Sequence, residues 1–418
     1  MGNNLDELIS KGIDYLKSNF GEEAVEMAIN FTKKFIVEVP GWQVWKGFGG
    51  GGRFEGGTTG GAARNTEEIA QDIGFINKLT NSTPTIGLHI LWFLSSDGIN
   101  GDFEIAKKVK KEFESYGVRM GSISPTYFLL GSEDGSFTSQ DSNTRERYIV
   151  QTLLGAKISA ELSNGLLILW FPDGTNYPGQ RKLQDKIRLM KDCIIEFWNR
   201  VPNIQKEKLD KVLIEYKVFE PGTYSTTIPD WGTSAELSRL IERKGGVLVD
   251  LGHHHHSTNI EQIVAVLIAL GIPGGFHFNT RYAADDDHSV QADYQLSKIF
   301  YELIQGNVIF NQNLSKNWAY ALDQMARAEQ RIPSILKSVD ALKKSIAKAV
   351  LVNNDLLEKC QKEKDLIKAN VEFEKALLYT DSSPIVMESY RRQDLHPIPL
   401  VAYYESGYQK KIEYERKK

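Results

Sequence analysis

Short apolar runs rich in β-branched residues recur along the chain, each followed by a longer segment with apolar residues at helical spacing. The runs are FIVEVPG near residue 35, TIGLHILW near 85, GVRMGSIS near 117, GLLILWF near 165, KVLIEYKVF near 211, GVLVDL near 246, GGFHFN near 274 and NWAYALD near 317. Strands that alternate with helices pair in parallel through crossover helices, and eight is the number that closes a barrel. The pattern predicts an α/β fold, a (β/α)8 (TIM) barrel over residues 35–330. An N-terminal helical segment is expected over 1–34, with Ile9, Ile13, Leu16 and Phe20 at helical spacing. A helical extension is expected over 331–418, where Ile335, Val339, Leu342, Ile346 and Val350 form one apolar stripe that must pack on the barrel or on a neighbouring subunit.

Composition narrows the class without choosing a function. Of 418 residues, 41% are hydrophobic and 25% charged, the balance of a globular chain able to bury a large core. A formal net charge of -4 gives no footprint for nucleic acid or an anionic membrane, and the basic stretch YQKKIEYERKK reads as a solvated end. Cys193 and Cys360 are too few for a disulfide framework or a cysteine-based zinc site. No eighteen apolar residues run together, so no membrane span is expected. The first twenty residues lack the basic start and unbroken apolar run of a secretion signal, and a cytoplasmic location is expected. The stretch KGFGGGGRFEGG contains GxGxxG at Gly47–Gly52, but no helix opens at the glycines and the next strand carries His89 instead of an acid. We read it as a loop over the barrel mouth rather than a nucleotide cradle.

In such a barrel the active site lies at the C-terminal ends of the strands. Those positions are strongly polar here: Glu215 and Lys217 alternate in LIEYKVF, Asp250 ends VLVD, His277 sits in GGFHFN and Asp323 ends YALD. A carboxylate buried in a barrel is costly unless it is paired or binds a cation. Convergence of Glu215, Asp250, His277 and Asp323 therefore predicts one divalent metal site, and oxygen donors with one imidazole suit Mn2+ or Co2+, with Mg2+ as an alternative. Within VDLGHHHHSTN, His253 is placed to turn back over the mouth. Together with Asp285 and Asp287 from YAADDDHS, and with Asp250 as a bridge, it predicts a second metal site. His254, His255 and His256 have no such acidic residues at matching spacing, and they and His288 read as loop or supporting groups.

These segments resemble the L-rhamnose isomerase family of the pseudomonad type, a branch of the xylose-isomerase-like barrels. The resemblance rests on LHILW, WFPDGTNYPGQ, EYKVFEPGTYSTTIPDWGT, VDLGHHHHSTNIEQIVA and GGFHFNTRYAADDD, in that order, and covers roughly residues 36–330. It implies that Glu215, Asp250, His277 and Asp323 hold a structural cation, and that Asp250, His253, Asp285 and Asp287 hold a catalytic one. It further implies that Lys217 lies near the substrate carbonyl, that His89 lies near the sugar's ring oxygen, and that Trp92 and Trp170 wall the pocket. A homotetramer is implied as well, with a loop aromatic such as Phe54 reaching a neighbour's pocket. The family pattern is broken in two places: Met325 and Ala326 stand where Ser and His follow the Asp-Gln of the eighth strand, and Phe93 stands where Asp follows Trp92. Both bear on which sugar is used more than on the chemistry, because the metal ligands are intact.

The implied reaction is conversion of an aldose to a ketose, L-rhamnose to L-rhamnulose first, with rare aldoses such as D-allose or D-ribose as further substrates. Two divalent cations per subunit, with no organic cofactor, would chelate the C1 and C2 oxygens and favour a 1,2-hydride shift. The expected roles are ring opening for His89, charge stabilisation for Lys217, and proton movement for Asp287 or water at the cations, with Asp323 counted beside them at the reacting centre. The alternatives are a ketose 3-epimerase on the same barrel and a barrel that binds sugar without turning it over.

Overall fold

A computed structural model of the chain describes residues 2–45, 60–95, 101–220, 226–280, 288–311, 318–325 and 329–417. Eight strands form one sheet: β1 Val39–Pro40, β2 Thr85–His89, β3 Arg119–Ser124, β4 Leu166–Trp170, β5 Lys211–Glu215, β6 Gly245–Asp250, β7 Gly274–Phe278 and β8 Trp318–Leu322. Each pairs in parallel with the next in chain order. The sheet closes where Glu38 N donates to Tyr320 O at 3.0 Å and Leu322 N donates to Glu38 O at 2.9 Å. The result is the (β/α)8 barrel that the periodicity predicts. The first strand is shorter than its apolar run: Pro40 has no N–H to extend the ladder, and the chain turns at once into the helix Gly41–Val44.

Alternation along the strands divides the apolar residues between two cores. Val212, Ile214, Val247 and Val249 belong to the large core shared with the surrounding helices, whereas Leu166, Ile168, Leu213 and Leu248 pack together with Ala319 as a separate plug. Two residues further along the plug-facing side stand Trp170, Glu215 and Asp250, and Asp323 follows Ala319 at twice that step. The register sets Asp250 opposite His277 and Trp170 opposite Glu215. Period two thus places a polar ring directly on an apolar floor.

Helices flank the barrel in the sequence on both sides. Gly2–Phe20 and Glu22–Lys34 precede it. After it come Arg331–Val350, Asn354–Lys362, Leu366–Leu377, Ser383–Arg391, Pro399–Glu405 and Tyr408–Glu415. The helix Arg331–Val350 differs from the one-stripe expectation. Beyond Ile335, Val339, Leu342 and Ile346 it also buries Ser338, Lys343 and Ser345, because helices cover several of its faces. The basic end differs too, since Tyr408, Ile412 and Arg416 are buried. Among the described residues no helix is long and apolar enough to cross a membrane.

Candidate metal centre and sugar site

β5, β6, β7 and the residue after β8 deliver Glu215, Asp250, His277 and Asp323 to one point, where one ligand atom from each lies within 4.8 Å of the others. His277 Nδ1 stands 3.2 Å from Glu215 Oε1, 3.4 Å from Asp323 Oδ2 and 3.9 Å from Asp250 Oδ2. Neighbouring groups aim these side chains. Asn279 Nδ2 donates to both Asp250 oxygens at 3.0 and 3.1 Å, Gly252 N donates to Asp250 Oδ1 at 2.8 Å, and the Trp42 indole N–H donates to Asp323 Oδ1 at 2.8 Å.

Burial and like charge shape the protonation of the cluster. Desolvation, reinforced by Asp323 and Glu215, drives the Asp250 carboxyl well above the usual carboxylate range. Burial also raises Glu215 against the pull of His277. Asp323 is only partly buried, and against the desolvation it does feel, His277 and the Trp42 N–H hold it below the ordinary value. Burial opposes the charge on His277, but Glu215 and Asp323 outweigh it and keep the imidazole protonated well above its usual range. Three acidic groups share one cationic imidazole, and the upward shifts of Asp250 and Glu215 report the shortage of positive charge. The donor set fits a divalent cation: three oxygens and one nitrogen, buried, converging and short of positive charge.

Of the second predicted site, Asp250 and His253 are described, with His253 Nε2 3.8 Å from Asp250 Oδ1. His253 Nδ1 lies 3.1 Å from Tyr216 O and 3.3 Å from Glu215 Oε1, and burial holds the ring neutral, the form that binds metals. Asp285 and Asp287 lie outside the described residues, as does Phe54. The histidine run divides sharply. His253 faces the cluster, His254 turns away to meet the Tyr216 hydroxyl at 2.6 Å, and His255 and His256 are exposed.

Lys217 is buried and donates to Glu220 at 2.5 Å, with its ammonium 5.4 Å from the Trp170 ring centre. His89 ends β2 in an aromatic wall, 5.1 Å from Trp42, 6.1 Å from Trp92 and 5.3 Å from Phe128 between ring centres; Phe128 in turn reaches Trp170 at 5.6 Å. Burial lowers the His89 imidazole to about 3, so its ring is neutral near pH 7. Phe93 is fully buried in the large core and Met325 packs at its edge.

Sequence reasoning missed four contributors. Asn279 stands two residues beyond His277, so alternation alone put it on the same face. Glu220 lies three residues after Lys217. Trp42 had no signal, since its reach of 281 positions to Asp323 exists only once the barrel closes. Glu38 is buried in the closing seam and accepts the backbone N–H of Ser122 at 2.8 Å and the Ser122 hydroxyl; desolvation raises its carboxyl, and a Cβ on Gly121 would collide with it.

The sequence pattern of the L-rhamnose isomerase (RhaA) family matches residues 21–400. The chain belongs to this family. A probable sugar isomerase of Rhizobium meliloti is 31% identical over 413 residues, 98% of this chain and 91% of that protein. An L-rhamnose isomerase of Salmonella agona is 21% identical over 337 residues, covering 78% of this chain and 77% of its own. Among solved structures, an L-ribulose 3-epimerase superposes with a TM-score of 0.52 at 11% identity, covering 76% of this chain and 98% of that one, a likeness of fold. Membership makes this chain an aldose–ketose isomerase of a metal-dependent family, and the Glu215–Asp250–His277–Asp323 cluster is the group that could bind the metal.

Proposed function

We propose that the protein interconverts L-rhamnose and L-rhamnulose, with rare aldoses such as D-allose and D-ribose as further substrates. The observation that carries this reading is the buried carboxylate–imidazole cluster at the C-terminal mouth of a barrel whose sequence matches the L-rhamnose isomerase family over residues 21–400. Glu215, Asp250, His277 and Asp323 would hold one divalent cation, and Asp250, His253, Asp285 and Asp287 a second; Mn2+ suits the oxygen-rich set with its imidazoles, ahead of Co2+ and Mg2+. When bound, the cations supply Lewis-acid polarisation of the sugar's carbonyl and hydroxyl oxygens.

The remaining work belongs to the chain's own groups. His89, kept neutral by burial, takes the anomeric hydroxyl proton and returns it to the ring oxygen as the bond from C1 to that oxygen breaks, which opens the ring. Lys217 stabilises negative charge growing on the carbonyl oxygen, and Glu220 fixes the ammonium in place. Trp92 and Trp170 lend flat apolar faces to the C–H surfaces of the sugar, while the floor of Leu213 and Leu248 keeps water from below. Asp287 is the proposed proton carrier.

A panel of aldoses assayed with Mn2+, Co2+ and Mg2+ tests the substrate. The reading predicts that L-rhamnose has the highest kcat/KM; another aldose at the top would reject that choice. Aldose deuterated at C2 tests the route, since a direct shift keeps the label in the ketose and proton exchange releases it to solvent. The assembly proposed with this function is a homotetramer, measurable by light scattering on the eluting protein.

A further inference from the structure

Outside the barrel mouth lies a group of buried charges that the proposed chemistry leaves unused. Asp72, fully buried in the helix Thr66–Thr80, accepts from Arg416 Nη1 and Nη2 at 2.8 and 3.0 Å, from Arg331 Nε at 3.3 Å and from the Tyr408 hydroxyl at 2.8 Å. Burying two guanidiniums carries a heavy desolvation penalty that one carboxylate does not offset, so their other contacts matter.

Those contacts lead to the backbone that follows the glycine-rich stretch. Arg331 Nη1 donates to Gly60 O at 2.8 Å, Gln409 Nε2 to Gly60 O at 2.9 Å, and Arg416 Nη1 to Gly61 O at 2.7 Å. Gly61 has φ +73°, and a Cβ there would stand 3.1 Å from Ile412. The segment is pressed against the helix Tyr408–Glu415 in a conformation that glycine tolerates.

From there a chain of direct contacts runs to the metal cluster. Ala63 N donates to Val44 O at 2.8 Å and bridges to Trp45. Trp45 stacks on Trp92 at 5.0 Å and 11°, Trp92 lies 6.5 Å from Trp42, and the Trp42 indole holds Asp323. A second tie meets the same segment from behind, where Gln43 Nε2 donates to Ser334 Oγ at 2.7 Å and to Arg331 O at 3.3 Å. The helices after the barrel therefore hold both Gly60–Gly61 and the helix Gly41–Val44 that carries Trp42.

We propose that Arg416, with Arg331 and Gln409, is a positioning residue of the sugar site, setting the Trp42–Trp45–Trp92 wall through Gly60, Gly61 and Ala63. The inference rests on the sugar-isomerase reading above. A wall displaced by a fraction of an ångström weakens sugar binding while the ligands on β5, β6 and β7 keep their places.

The test uses the full-length protein with Arg416→Met, Arg416→Lys and Gln409→Ala. Four readouts are needed: KM and kcat on the best aldose, the Kd for its open-chain alditol, Mn2+ affinity, and amide hydrogen exchange over residues 41–45 and 60–64. Arg416→Met should raise KM and the alditol Kd about 10-fold and weaken Mn2+ affinity by a smaller factor, about 2-fold, through the Trp42–Asp323 bond, Gln409→Ala should raise KM and the alditol Kd about 3-fold, and Arg416→Lys should recover part of the loss. Exchange in both segments should quicken in step. Should Arg416→Met fail to fold, Gln409→Ala, which leaves Asp72 paired, decides the matter. Unchanged KM and alditol Kd in a folded variant, or weakening without faster exchange, overturns the proposal. A wild-type protein that binds the alditol but converts no aldose rejects the isomerase reading alone, because the alditol and exchange arms still score the positioning role.

Discussion

At Asp250 three demands meet: it is fully buried, it faces Glu215 and Asp323, and it accepts from Asn279 and Gly252. Replacing it by Asn keeps the volume and removes the bridging charge, so Asp250→Asn should fold, lose cation binding and lose turnover by about 1000-fold or more, measured by calorimetric titration with Mn2+ and by the aldose assay. Asn279→Ala should keep the four ligands yet weaken cation affinity about 10- to 100-fold, because a ligating carboxylate loses the amide that orients it. Lys217→Met should retain the cation and lower kcat about 100-fold, and equal kcat in that variant would remove the lysine from the reaction. The convergence of Glu215, Asp250, His277 and Asp323 was readable, since a carboxylate or histidine closing an apolar run has few other uses. Trp42 and Glu38 were not, because their side-chain partners are distant in sequence and meet them only in the closed barrel, Asp323 after the eighth strand for Trp42 and Ser122 on the third for Glu38.

At the scale of elements, strand periodicity carried most of the architecture. Alternation sorts Val212 and Ile214 outward and Leu213 and Glu215 inward, and the same rule places Asp250 over Leu248. The helix Arg331–Val350 resisted such reading because stripe width reports one packed face, whereas this helix is covered on several. Its Lys343 shows the cost. The ammonium is buried without a hydrogen-bond partner 4.4 Å from the Tyr390 ring centre, and burial lowers it from 10.5 to about 7 despite Asp340. Between those values the unfolded chain binds the extra proton, so this lysine makes stability rise as pH climbs from about 7 to about 10.5. Lys343→Met should be more stable than the wild type at pH 6, by a margin on the order of 5 kcal/mol at most, and the advantage should vanish near pH 10.5. Urea denaturation of both proteins at the two pH values measures it, and a pH-independent difference would contradict the assignment.

For the whole molecule, the barrel brings the candidate ligands together and the helices after it contact the segments that carry Trp42 and Trp45. Family membership, the closed eight-stranded sheet and the converging ligands agree on a sugar isomerase, although the loops that rank one aldose above another are the parts least legible from strand and helix patterns. A cation that binds only the folded chain stabilises it by mass action, about 2.7 kcal/mol at a hundredfold excess over Kd, so Mn2+ should raise the melting temperature of wild type and leave Asp250→Asn unmoved. The most direct measurement is of the cation itself. Protein stripped with a chelator and dialysed should bind Mn2+ at two per chain by elemental analysis, with aldose turnover absent before and restored after. Stripped protein that retains full turnover, or takes up no divalent ion at saturating Mn2+, would contradict the account.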